Sequence, residues 1–126
     1  MKVLKSLILV SVVLSSAALA QSANPYNGKW TVKFDGTSMA NATGTVVIKD
    51  DQGTWKIVAY SSKNPCIGFE APITVQRASG DELVFEVVRS KVLSGCGDST
   101  LSLKRVDEKT LQGEFSDGRK VIMLRD

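Results

Sequence analysis

Lys29-Trp30-Thr31-Val32-Lys33-Phe34-Asp35 alternates with a period of two: Trp30, Val32 and Phe34 share one face, and Thr31, Lys33 and Asp35 share the other. This is the pattern of a strand with one buried and one solvated face, the usual condition of an antiparallel sheet. The pattern recurs along the chain. Trp55, Ile57 and Ala59 oppose Lys56, and Leu83, Phe85 and Val87 oppose Glu86. Leu101 and Leu103 oppose Ser102 and Lys104, and Leu111, Gly113 and Phe115 oppose Gln112 and Glu114. Short runs rich in β-branched and aromatic residues, separated by turn residues, predict eight strands at 29–35, 43–50, 53–60, 70–78, 82–89, 99–106, 110–116 and 119–125. The second and eighth, with Val46-Val47-Ile48 and Val121-Ile122-Met123-Leu124, are apolar on both faces. One of those faces is expected to lie under the N-terminal segment or a partner.

The connections fall into two sets. Asp50-Asp51-Gln52-Gly53, Ser79-Gly80-Asp81 and Asp107-Glu108-Lys109 are tight, whereas 36–42, 61–69 and 90–98 are long. The final link, Ser116-Asp117-Gly118, is tight and carries the Asp-Gly of a hairpin. In an up-and-down meander the three long links lie at one end. Cys66 and Cys96 then fall in two neighbouring long loops, where a bridge is geometrically feasible. The expectation is an eight-stranded antiparallel up-and-down β-barrel, with a β-sandwich as the alternative. Closure removes the exposed sheet edges.

The ends of the chain and its composition narrow the compartment. Lys2 and Lys5, the apolar run 7–14 and Ala18-Leu19-Ala20 form a tripartite export signal over residues 1–20. The apolar stretch is shorter than the roughly 20 residues that span a bilayer. Residues 21–28 read as an N-terminal extension and 29–126 as one barrel domain. Loss of Lys2 and Lys5 from the 16 basic residues leaves 14 against 13 acidic ones, so the mature chain is close to neutral. No basic stripe interleaved with aromatics is present, and nucleic acid is not an expected partner. Contact with a membrane is expected to be peripheral at most. An even pair of cysteines in an exported chain reads as a disulfide, Cys66–Cys96, closing about 30 residues and contributing roughly 3–4 kcal/mol. A periplasmic or secreted bacterial protein is the expected setting.

Asn27-Gly28-Lys29-Trp30 opens the first strand. In this Gly-x-Trp and in its meander with long loops at one rim, the chain resembles the calycin group of lipocalins and avidins. The resemblance implies a barrel and a small apolar ligand, and it assigns no binding residue. Trp30 itself reads as a core side chain plugging the barrel floor. Size, compartment and single bridge are also similar to those of small periplasmic inhibitor barrels.

The chain has no histidine, which removes Ser-His-Asp and Cys-His catalysis and imidazole metal sites. No catalytic residue, metal or cofactor is expected, and the protein reads as a non-enzyme. Glu70 with Asp98 is too generic a pair of carboxylates to predict hydrolysis. Asp50-Asp51 lacks the spaced oxygens of a calcium loop. The long-loop rim is the candidate site, with Tyr60, Ile67, Phe69, Glu70, Arg89 and Lys91 as ligand- or partner-binding residues. Arg89 continues the parity of Leu83, Phe85 and Val87. It should point inward at the mouth, to meet a ligand anion or a local acid such as Glu70 or Asp98. The expected function is an exported cell-envelope binding protein holding a small apolar or amphipathic ligand at the braced rim. The alternative is an enzyme inhibitor or adaptor acting on a protein partner through loops 61–69 and 90–98. Solid filling of the barrel by Trp30, Trp55, Phe34, Phe85 and Phe115 favours the alternative, as does exposure of Ile67 and Phe69. Mass spectrometry of the exported protein should find Gln21 at the N-terminus and a mass two hydrogens below that of the dithiol chain. An intact N-terminus or two free thiols contradicts the compartment assignment.

Overall fold

The alternating stretches form strands that pair in sequence order in a computed structural model, which describes residues 23–35, 42–58 and 64–126. The strands are β1 (Gly28–Asp35), β2 (Thr43–Lys49), β3 (Gln52–Val58), β4 (Ala71–Ala78), β5 (Glu82–Val87), β6 (Ser99–Asp107), β7 (Thr110–Phe115) and β8 (Lys120–Arg125). Their ends lie within a residue or two of those expected. Residues 59–60, expected to end β3, lie outside the described residues. Each strand pairs antiparallel with the next, and β1 also pairs with β8 through Trp30↔Arg125 to Asp35↔Lys120. That last pairing closes the sheet as a barrel and excludes the sandwich. The only helical turn among the described residues is a 3-10 turn at Arg89–Lys91.

Parity decides what is buried. Trp30, Val32 and Phe34 of β1, Trp55 and Ile57 of β3, Leu83, Phe85 and Val87 of β5, and Leu111 and Phe115 of β7 all enter the core. The two strands that were apolar on both faces also alternate. Val46 and Ile48 are buried while Val47 is 42% exposed, and Val121 and Met123 are buried while Ile122 and Leu124 are half-buried. The described part of the N-terminal extension does not cover these outer faces. It crosses the end of the barrel that carries the tight turns, because its polar groups find partners there.

At that closed end the Trp30 indole Nε1 donates to the Tyr26 carbonyl at 2.9 Å, and the Tyr26 hydroxyl donates to the Ser79 carbonyl at 2.6 Å. Burial pushes the Tyr26 phenol above its ordinary value, which favours the donating, protonated form. The Arg125 guanidinium lies 4.3 Å from a Trp30 ring centroid and donates to the carbonyls of Asn27 and Pro25, each at 2.8 Å. Asp50, at φ 59°, holds a left-handed conformation at the β2–β3 turn. The Asn27 side chain supports that turn by accepting from the Asp50 N–H at 2.7 Å and donating to the Asp50 carboxylate at 3.1 Å. Trp30 is 1% exposed and plugs the floor as expected.

Two irregularities shape the wall. Register shifts occur between Val75 and Arg77 in β4 and between Arg105 and Asp107 in β6, positions where an extra residue adds local twist. Gly113 sits opposite Leu103, and a Cβ there would run into the Ser102 carbonyl and the Leu103 Cα. The close approach of β6 and β7 therefore requires glycine. Gly113→Ala should lower stability by about 3 kcal/mol, read as a shift in the denaturation midpoint. Gly80→Ala, where a Cβ meets nothing within 4 Å, should stay within about 0.5 kcal/mol of the parent. Equal stabilities would mean that β6 and β7 do not approach this closely.

Candidate functional site at the disulfide-braced rim

Four aromatic side chains form the floor beneath the long-loop rim. Trp55 contacts Phe34 (6.1 Å between ring centroids, near perpendicular), Phe85 (6.1 Å, tilted) and Phe115 (5.5 Å, near perpendicular). Phe34 and Phe115 stack with centroids 6.3 Å apart. Such offset and edge arrangements are the favourable ones for ring quadrupoles. All four are buried, Phe34 most exposed at 7%. The Trp55 Nε1 is buried and has no hydrogen-bond partner among the described residues.

Above this floor, Cys66 and Cys96 are joined, with Cα atoms 5.6 Å apart and a sequence separation of 30. The bridge couples two compact loops. In the first, Pro65 follows Asn64, whose side-chain oxygen accepts from the Cys66 N–H at 3.0 Å. The Ile67 N–H donates to the Asn64 carbonyl at 3.3 Å, completing a turn. Ile67 is drawn half inward against the core, whereas Phe69 is 50% exposed. Glu70 is exposed beside it. In the second loop Val92 and Leu93 donate to the Arg89 carbonyl at 3.0 and 3.1 Å, and Cys96 donates to the Leu93 carbonyl at 3.2 Å. The Asp98 carboxylate accepts from the Ser90 N–H at 3.0 Å and the Ser90 hydroxyl at 2.9 Å. These two hydrogen bonds hold its pKa below the ordinary aspartate value. Lys91 is exposed, and so is Val92, at 41%.

Arg89 departs from expectation in one respect. The strand ends at Val87, and Arg89 opens the 3-10 turn instead of extending β5. Val88 is buried like Val87, so the strict alternation stops there. Arg89 is half-buried, and its Nη1 donates to the Ser99 hydroxyl at 3.2 Å. Neither Glu70 nor Asp98 takes it as an ion pair, since Asp98 is engaged by Ser90. Burial first, and the neighbouring Arg119 second, lower the Arg89 pKa from its ordinary value. Arg119 lies with its guanidinium carbon 4.7 Å from the Phe115 centroid, and its Nε donates to Asp117 at 2.8 Å.

The fold thus brings Ile67, Phe69, Glu70, Arg89 and Lys91 to one braced rim. Tyr60 lies outside the described residues. Arg119, which the sequence places near a strand end at this rim, and Val92 join the rim residues. Arg119 shares the parity of Val121 and Met123, a signal present in the sequence. Val92 lies in a non-repetitive loop and carries no periodic signal. Among the described residues no three His, Cys, Asp or Glu side chains converge as a metal site would require. Elsewhere, an open groove of about 460 Å³ runs along the outer wall of β6–β8, where Lys104 and Lys120 alternate with Glu82 and Glu114. No protein-family profile, curated protein or solved structure matches this chain.

Proposed function

We propose that this chain is an exported cell-envelope binding module that docks a partner protein through its disulfide-braced rim loops, as an inhibitor or adaptor and not as an enzyme. The observation that carries this reading is the division of apolar surface. Large aromatics occupy the barrel beneath the rim, while Phe69 stands 50% exposed on a loop tied down by Cys66. An eight-stranded barrel has room for its own side chains or for one small ligand. Filling by Trp55, Phe34, Phe85 and Phe115 favours the first use of that space and moves recognition to the outside. A half-exposed phenylalanine on a pinned loop loses little conformational entropy on binding, and aromatic side chains of this kind anchor protein interfaces. Val92 on the bridged neighbour adds a second exposed apolar group.

The export part of the proposal rests on the signal pattern of residues 1–20. The Cys66–Cys96 bridge is compatible with an oxidising extracellular or periplasmic location. The calycin-like layout supports the barrel framework, and a shared framework does not carry a ligand with it.

Site-specific photo-crosslinking in the protein's own envelope tests the docking face. A photoreactive phenylalanine analogue in place of Phe69 or Val92 should give the same discrete adduct with one other protein. The analogue in place of Lys109, exposed at the closed end, should give none. Absence of an adduct at 69 and 92, or the same adduct at 109, refutes docking through the rim.

A further inference from the structure

We propose that Arg89 and Arg119 form an oxyanion site over the barrel mouth, taking a carboxylate or phosphate group offered from outside the barrel. The site concerns the inward side of the rim, so it stands or falls independently of docking through Phe69.

Contacts place both guanidiniums at the rim: Arg119 lies over the Phe115 ring, and Arg89 is held by Ser99, which shares the parity of the buried Leu101 and Leu103. Arg119 precedes Val121 and Met123, both fully buried, by two and four positions and inherits their inward side. Its contact with the ring of Phe115, itself 2% exposed, agrees with that placement. Arg89 opens the 3-10 turn after β5 and is held by Ser99 at 3.2 Å. Ser99 adjoins Thr100, whose carbonyl accepts from the Ser116 N–H at 3.0 Å, next to Phe115. These contacts put Ser99 and Phe115, the supports of the two arginines, in adjoining strands at the same end of the barrel.

Their hydrogen-bonding capacity is largely unused. Among the described residues no carboxylate lies within ion-pair distance of Arg89, and the Ser99 hydroxyl is its one acceptor. Asp117 takes Arg119 at Nε, and among the described residues the Nη groups of Arg119 have no acceptor. Asp98, the remaining acid of the rim loop, is engaged by Ser90. Arg125, at the other end of the barrel, shows the alternative: it stacks on Trp30 and donates to two carbonyls. A half-buried arginine keeps its charge, and a second arginine beside it raises the cost of that charge. A bound anion relieves both burdens. The guanidinium fork matches carboxylate and phosphate oxygens alike, and the Ser99 hydroxyl can add a further donor. The occupied interior beneath limits the ligand to the charged group and what trails outward from it.

Nitrogen-15 NMR of the disulfide-bonded chain reads this directly through the arginine Nε–H signals, with Arg125 as internal reference. Titration with sodium benzoate and, separately, inorganic phosphate should move the Arg89 and Arg119 signals saturably and leave Arg125 in place. Response to benzoate alone identifies a carboxylate source, and response to phosphate alone identifies a phosphate source. Arg89→Gln should weaken the responding anion by about 10-fold or more, the loss expected for a charge-assisted hydrogen bond. Arg119→Gln should act in the same direction and decides alone if Arg89→Gln does not fold. No saturable shift with either anion, a parallel shift of Arg125, or unchanged affinity in the folded variants overturns the site.

Discussion

The contact of Trp55 with Phe34, Phe85 and Phe115 is the constraint on which the rest depends. The four side chains come from β3, β1, β5 and β7, alternate strands around the barrel, and each must face inward for the layer to form. A one-residue slip in any of these strands would turn its aromatic to solvent and bring a residue of the outer face inward. The layer thus locks register in four strands at once. The strands between them, β2, β4, β6 and β8, are fixed by pairing on both sides. The layer also carries a cost. Among the described residues the Trp55 Nε1 has no hydrogen-bond acceptor, and an unmet buried donor costs about 1–3 kcal/mol. The apolar area of an indole enclosed by three rings offsets it, since burying a large aromatic contributes on the order of several kcal/mol.

The two ends of the barrel solve different problems with similar residues. At the closed end the N-terminal segment, Trp30 and Arg125 satisfy one another, and every named polar group there has a partner. At the open end the loops are too long to be held by turn chemistry alone. The Cys66–Cys96 bridge supplies the constraint, contributing roughly 3–4 kcal/mol by restricting the unfolded chain. The two bridged loops leave Phe69 and Val92 exposed. A covalent brace joined to exposed apolar groups is the physical reason for proposing recognition there.

Much of the fold was legible because it depends on a two-residue period. Trp30-Val32-Phe34 and Leu83-Phe85-Val87 announce buried faces without reference to the rest of the chain. The long and short links, together with two cysteines, then select the up-and-down thread and the bridge. Other features resisted reading because they rest on contacts between residues remote in sequence. The path of the N-terminal extension depends on Tyr26 reaching Ser79, and on Asn27 reaching Asp50. The partner of Arg89 depends on a 3-10 turn that breaks the parity after Val87. Of the candidate site, the apolar loop tip and the mouth arginine were visible. The half-inward turn of Ile67 was not, since a loop has no period from which to infer burial.

Native-state hydrogen exchange of the Trp55 indole Nε1–H, measured beside that of Trp30, tests the filled barrel most directly. Both protons should exchange only with global unfolding, with the Trp55 signal displaced by the ring currents of Phe34 and Phe115. Fast exchange at Trp55 with slow exchange at Trp30 would show water entering beneath the rim. The interior would then be a cavity, and recognition would belong inside the barrel and not at its loops.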